Sequence, residues 1–439
     1  MSEHTVIPET RPSTPPQPAA EGTEGRGPKL LAPFAIRDFR LLWTAMTVSL
    51  LGDGIYMVAL AWEVYRLSNT PTALSVVSVA WSLPMVLCLL AGGVLSDRFD
   101  RRKVMITADV LRGVAIAGMG VLSVTGAIEL WHIVVLAIVY GVGQALFGPA
   151  FGAIVPDIVP PGQLIQANSV DSFARPFGER LAGPAIGGFL IGGLAGGEAG
   201  PAFLIDAATF AFSAVILTMI RTRPRHDLGE RGSAFADVAE GFRFVRAHTW
   251  LWGTLLSASL TLLFVIGPFQ VLLPYLIKNK LGGGAGDIGL VYAAGGVGAI
   301  CGAIFMGRRP LPRRHITFMY VGWGGGMLLL MPYAWITEVW QAMALEFGAW
   351  ALFTTGLVVW MTLMHTRVPS ELLGRVTSLD WLVSIGLIPV SFALTGPVSE
   401  AIGVEMVFIA SGILGAAATF GFLLLPGIRD TEKGTSASA

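Results

Sequence analysis

Apolar residues in this chain fall in long unbroken stretches, without the three-and-four spacing of a surface helix. Six such runs lie near 41–63, 72–96, 104–127, 131–154, 169–193 and 201–220. Six more lie near 250–276, 287–307, 316–337, 340–363, 377–398 and 402–426. A bilayer core of roughly 30 Å is crossed by about 20 apolar residues in helix, so each run predicts a membrane span. Barrel strands would alternate apolar and polar residues over segments of about ten, and these runs do not alternate. Unpaired backbone groups are too costly in lipid for any irregular crossing, which leaves helices. The expected architecture is an all-α polytopic membrane protein, with twelve transmembrane helices in two pseudo-symmetric six-helix bundles. Its expected parts are a disordered tail (1–36), a first bundle (37–221), a linker (222–249), a second bundle (250–426) and a short tail (427–439). The first tail is rich in Pro, Glu, Ser and Thr and lacks the apolar centre and cleavage site of a secretory signal. The first apolar run therefore reads as a retained span.

Composition strengthens this picture. The chain is 54% hydrophobic and only 13% charged, where a soluble protein carries roughly a quarter, so much apolar surface must face lipid. Net formal charge is zero and no basic domain offers itself to nucleic acid. Cys88 and Cys301 sit in separate apolar runs and read as reduced core residues. The six histidines are scattered without metal-ligand spacing, so neither metal nor cofactor is expected.

The positive charges choose sides. One side receives Arg37, Arg40, the cluster Arg98, Arg101, Arg102 and Lys103, several arginines of 221–246, the cluster Arg308, Arg309, Arg313 and Arg314, and Arg367 and Arg375. The other holds only Arg66, Lys278 and Lys280. By the positive-inside rule, both termini and the 221–249 loop are expected in the cytoplasm, with the chain in the plasma (inner) membrane. Trp62, Tyr65, Trp131, Tyr333, Trp335 and Trp340 fall at the predicted outer ends, where aromatic rings favour the interface.

A local repeat accompanies the two sixes. Residues 159–171 align without gaps to 368–380, matching Val159/Val368, Pro160/Pro369, Leu164/Leu373, Ser169/Ser378 and Asp171/Asp380. Spans 5 and 11 are then equivalent elements, and duplicated halves fit alternating access around a midplane site.

After span 2 come Gly93, Asp97, Arg98, Asp100, Arg101, Arg102 and Lys103. This resembles the loop 2–3 signature of the major facilitator superfamily. Span 5 carries Gly178-Glu-Arg-Leu-Ala-Gly183-Pro184-Ala-Ile-Gly187-Gly188, similar to the antiporter motif of drug exporters in that superfamily. Gly52-Asp53-Gly54 and Phe147-Gly-Pro-Ala150 add to a resemblance, over about residues 37–426, to the branch with macrolide and tetracycline efflux pumps and the enterobactin exporter. The resemblance implies that the loop packs on the start of span 11, giving a cytoplasmic gate of Gly93, Asp97, Arg98, Arg101 and Asp380. The second-half loop, Gly307 to Arg314, keeps the basic residues but has no acid, so a second latch is weaker. Gly183, Pro184, Gly187 and Gly188 remove bulk and one backbone donor from span 5, permitting close helix approach and a bend.

Ionisable groups inside spans are functional candidates by default. Asp53 lies near the middle of span 1. Asp109 and Arg112, three apart in span 3, share a face and are expected to pair; Arg175 and Glu179, four apart in span 5, can bridge likewise. Burial raises a carboxyl pKa and a nearby arginine lowers it. A bundle motion that shifts Asp53, or next Glu179, relative to Arg175, Arg180 or Arg112 would thus bind and release protons in step with access. A static buried ion pair is the alternative for each, and the preferred one for Asp109–Arg112. The fold implies a cavity between spans 1, 4, 7 and 10. Its candidates are Gln144, Phe147, Gln270, Gln341, Glu346, Trp360 and Met361, with Asp206 a further acid in span 6.

No lysine is followed by Ser or Thr, so the chain lacks a Walker-type ATP engine. Nucleophile–base pairs and pore filters are likewise not seen, and no enzyme is expected. The expectation is a monomeric secondary transporter that exports a small amphipathic molecule, a drug or metabolite, in exchange for protons. The alternatives are a proton–substrate symporter, a siderophore exporter, or a non-transporting sensor.

Overall fold

The computed structural model describes residues 31–221 and 234–433. The expected disordered tail up to residue 30, the linker over 222–233 and the end beyond 433 lie outside the described residues. The first half runs α1 (Arg37–Leu67), α2 (Pro71–Arg98), α3 (Arg101–Val124), α4 (Leu130–Ile158), α5 (Leu164–Arg175), α6 (Gly183–Phe189) and α7 (Gly200–Thr218). A helix within the expected linker, α8 (Ala234–Ala247), leads to α9 (Thr249–Gly267) and α10 (Leu273–Asn279). The second half continues through α11 (Ala285–Gly307), α12 (His315–Leu328), α13 (Val339–Arg367), α14 (Ser370–Ile385), α15 (Ile388–Ile402) and α16 (Val404–Leu423). A single turn, α17 (Asp430–Lys433), follows.

Among the described residues, ten helices are long and apolar enough to cross a membrane. The other two expected spans are present in altered form. Span 5 is α5 and α6 joined by a π-turn over Pro176–Ala182, with a second π-turn over Leu190–Leu194. Span 9 is the 14-residue α12 extended by a 3₁₀ turn, Met331–Ala334. Large apolar side chains such as Leu87, Val114, Val135, Leu290 and Leu414 stand exposed around the bundle, as a lipid-facing belt requires. Trp131, Trp335 and Trp340 are exposed at helix ends on the face away from the basic loops, at the depth of an interfacial aromatic belt.

The repeat reaches further in space than in the aligned segment. Helices α4 and α13 each have 29 residues and each begin on a glutamate, Glu129 or Glu338, closed by a reciprocal cap with His132 or Gln341. Each ends on the aligned valine, Val159 or Val368, whose N–H closes the last turn. Within the first half, α2 packs on α4, α3 on α4 and α7, and α1 on α6 and α7; within the second, α11 packs on α13, α12 on α13 and α16, and α9 on α15 and α16.

Between the halves, α2 meets α15 and α6 meets α11. Both contacts lie toward the face away from the basic loops. There Asn69 Nδ2 donates to Asn279 Oδ1 at 2.6 Å, Tyr65 Oη donates to the Val271 carbonyl at 2.6 Å, and the Lys278 ammonium donates to the Tyr65 carbonyl. Toward the basic face, α5 packs on α1 and α4, and α14 packs on α8, α9 and α13. Among the described residues, the main contacts between the bundles are thus gathered on the side away from the basic loops.

Candidate transport site

Between the zipped ends lies a cavity of about 230 Å³, lined by Asp53, Tyr56, Tyr140, Gln144, Glu179, Arg180, Gln270, Tyr292 and Trp81 among others. Asp53 is placed by α1, whose Gly52 and Gly54 let neighbouring helices approach. A Cβ at Gly52 would lie 2.1 Å from Asp206 Oδ1, and one at Gly54 would lie 2.8 Å from the Gly183 Cα.

Behind Asp53 the bundle holds a charged cluster. Tyr140 Oη donates to Asp53 Oδ1 at 2.8 Å, and Arg112 Nη1 lies 3.8 Å from Asp53 Oδ2. The same guanidinium donates to Asp109 Oδ1 at 2.5 Å and to Gln144 Oε1 at 2.9 Å. Asp109 Oδ2 accepts from Ser213 Oγ at 2.6 Å. The guanidinium carbon is sandwiched between Phe147 and Phe210, 4.4 and 4.5 Å from their ring centres. Asp109, Arg112 and Asp206 are fully buried. Two acids, Asp53 and Asp109, thus share a single guanidinium, Asp206 stands apart with its Oδ1 accepting from Thr209 Oγ1 at 3.1 Å, and Asp53 alone of the three faces the cavity.

The π-turn explains how Glu179 and Arg180 both reach the cavity. In a regular helix adjacent side chains point about 100° apart. Pro176 has no N–H for the helical ladder, and the wider turn that follows re-phases the segment. This corrects one expectation. Arg175 does not bridge to Glu179; its Nε donates to Asp171 Oδ2 at 3.1 Å, because the π-turn disrupts the four-residue spacing. Asp109 and Arg112 do pair, as their spacing predicts.

The span 5 motif works on two faces. Gly183 and Gly187 press on α1, where added Cβ atoms would lie 2.7 Å from the Gly54 Cα and 3.0 Å from the Ile55 Cα. Gly188 presses on α11, where an added Cβ would lie 3.0 Å from the Gly289 Cα, and a Cβ on Gly289 would lie 2.4 Å from the Pro184 carbonyl oxygen. The motif is therefore part of the contact between the two halves.

Other expected residues lie elsewhere. Arg101 donates to Asp157 Oδ2 at 2.5 Å and to the Ala153 carbonyl, not to Asp380. Asp380 accepts from Trp360 Nε1 at 3.1 Å and Ser384 Oγ at 3.1 Å. In this conformation α14 is packed within its own half, which keeps Asp380 out of reach. Gly93 is half-buried and Arg98 exposed, while the side chain of Asp97 lies outside the described residues. Of the seven cavity candidates, Gln144 and Gln270 line this cavity and the other five do not. Gln341 caps the start of α13, Phe147 packs under Arg112, Trp360 holds Asp380, and Met361 is exposed. Glu346 is buried behind the cavity wall, accepting from Tyr333 Oη at 3.1 Å and Trp350 Nε1 at 3.0 Å. The sequence reading missed Tyr56, Tyr140, Tyr292 and Trp81. The chain has only seven tyrosines, and a phenol inside an apolar run is itself a signal of a polar partner nearby.

Two helix bundles around a central charged cavity define a secondary transporter of the major facilitator fold. A bacterial homologue of the human lysosomal transporter Spinster, solved inward-facing and unoccupied, matches this fold with a TM-score of 0.69 at 16% identity, over 90% of this chain and 97% of that one. The family model for transmembrane secretion effectors matches residues 29–438. The chain belongs to that family of the major facilitator superfamily. It is 27% identical over 429 residues to the multidrug efflux pump Tap of Mycolicibacterium fortuitum, covering 93% of this chain and 98% of Tap. It is 28% identical over 345 residues to the enterobactin exporter EntS of Salmonella choleraesuis, covering 78% and 80%. The chain is an efflux transporter, not an enzyme.

Proposed function

We propose that the chain, acting as a monomer in the plasma membrane, exports a small amphipathic molecule in exchange for protons. The basic loops face the cytoplasm in this reading, so the conformation described is inward-facing. The observation that carries it is Asp53, a carboxylate in the cavity wall within 3.8 Å of a fully buried guanidinium. A proton on Asp53 weakens its attraction to Arg112, and a rocking motion that changes their spacing changes proton affinity in return. Likeness to a multidrug pump and a siderophore exporter supports export and leaves both cargo classes open. Aromatic walls and two carboxylates favour amphipathic cargo, with positive charge the better fit. Toward the closed-inward state, Asp97, Arg98, Arg101 and Asp380 form the gate in this proposal.

Ethidium efflux from cells expressing the chain tests this. Asp53→Asn should slow energised efflux on the order of 100-fold, the scale of a lost proton-transfer group, while the purified variant still binds ethidium. Unchanged efflux would remove Asp53 from the mechanism.

A further inference from the structure

The second half holds a buried acid that the cavity does not touch. Glu346 on α13 is 1% exposed. Both its oxygens accept hydrogen bonds, from Tyr333 and from the Trp350 indole. Among the described residues, no cation forms an ion pair with it. Over the face of the same indole, however, stands Arg180, its guanidinium carbon 3.5 Å from the Trp350 ring centre. Arg180 belongs to the span 5 π-turn of the first half and also lines the cavity. Trp350 therefore touches a cation of one bundle with its ring face and a carboxylate of the other with its N–H edge. The approach is built into α11. A Cβ at Gly296 would lie 2.7 Å from the Arg180 carbonyl carbon, and one at Gly295 would lie 2.8 Å from Glu346 Cγ.

Resting on the proton-exchange reading, we propose that Glu346 is a second proton site, and that Trp350 is the positioning residue that reports the distance between the bundles to it. With the bundles zipped as here, Arg180 over the indole face balances an ionised Glu346. When the halves rock apart at α6 and α11, Arg180 leaves with the first bundle. Glu346 is then a buried carboxylate without a counter-charge, a state that proteins relieve by binding a proton. The local hydrogen bonds accommodate both forms. Tyr333 Oη has a second acceptor in the Ala342 carbonyl at 3.4 Å. On protonation Tyr333 turns to that carbonyl, and the new Glu346 O–H donates to the phenolic oxygen. The other groups in range are Glu179 beside Arg180 on span 5 and Tyr292 on α11. The proton comes from and returns to water, so no further reactant is needed.

The test needs no knowledge of the cargo. In a background with Cys88→Ser and Cys301→Ser, Thr72→Cys places a thiol in the zipped seam against Gly396. Labelling of the full chain in liposomes by a membrane-impermeant maleimide, measured across pH and divided at each pH by the rate for the unfolded chain to remove the thiol's own ionisation, reports opening of that seam. We expect a pH-dependent profile for the parent. Glu346→Gln should make the profile shallower by one titrating group. Trp350→Phe, which keeps a ring but removes the N–H, should displace the midpoint by about one pH unit. Glu346→Asp, which keeps the acid, should restore the parent slope. A pH-dependent parent with an unchanged Glu346→Gln profile would overturn this inference alone. A flat parent profile would overturn the proton-exchange reading along with it.

Discussion

Arg112→Met should abolish recovery of folded protein from membranes. The methionine fills much of the same volume, but Asp109 loses its 2.5 Å partner and Asp53 its only cation within 4 Å among the described residues. Removing one member of a buried pair costs about 3–5 kcal/mol because the other charge remains buried and unpaired. That is a large share of the net stability of most proteins. Removing both members is far cheaper, so Arg112→Met combined with Asp109→Asn should regain part of the yield. Detergent-solubilised protein followed by size-exclusion chromatography and thermal unfolding measures both. A single variant as stable as the parent would show that water, not the guanidinium, satisfies these carboxylates.

The second large effect belongs to Gly289. Its Cα packs against Gly188, and a side chain there meets the Pro184 carbonyl oxygen at 2.4 Å and the Gly188 Cα at 2.9 Å. Both obstacles are backbone, so α6 and α11 must part. Gly289→Val should leave each bundle folded, since this contact lies between them, and force the seam open. Labelling of Thr72→Cys should rise about tenfold or more, equivalent to a shift of about 1.4 kcal/mol between states, and ethidium efflux should be lost. Gly421→Ala, with nothing within 4 Å of the new methyl, serves as the neutral control. Parent-level labelling in Gly289→Val would show that the α6–α11 contact does not set the conformational balance.

Hydropathy made the spans legible because lipid imposes a length on every crossing helix. It located the bends of span 5 less well: π-turns arise from local backbone rearrangement around Pro176, and the four-residue rule applied to Arg175 and Glu179 assumes an unbroken helix. Pairing within one regular turn, as for Asp109 and Arg112, was readable; pairing across helices was not. The cluster of Asp53, Tyr140, Gln144 and Arg112 depends on how α1, α3 and α4 are rotated about their axes. The same limit put Gln341 and Glu346 in the cavity when one caps a helix and the other faces Tyr333 and Trp350. The Asp171/Asp380 repeat carried more than its match showed. In both halves the aligned acid lies near the aromatic at the equivalent place in α4 or α13: Asp171 through Arg175 and Phe151, Asp380 through Trp360. What differs between the halves is the arginine, present only in the first.

In the proposed mechanism, carboxylates exchange protons as the bundles exchange contacts. Purified protein in liposomes with an imposed pH gradient, followed with ethidium and a pH-sensitive dye together, addresses that directly. Ethidium should move opposite to the protons, and its net movement should stop when an ionophore dissipates the gradient. Ethidium transport at the same rate without a gradient, or protons travelling in the same direction as ethidium, would contradict it.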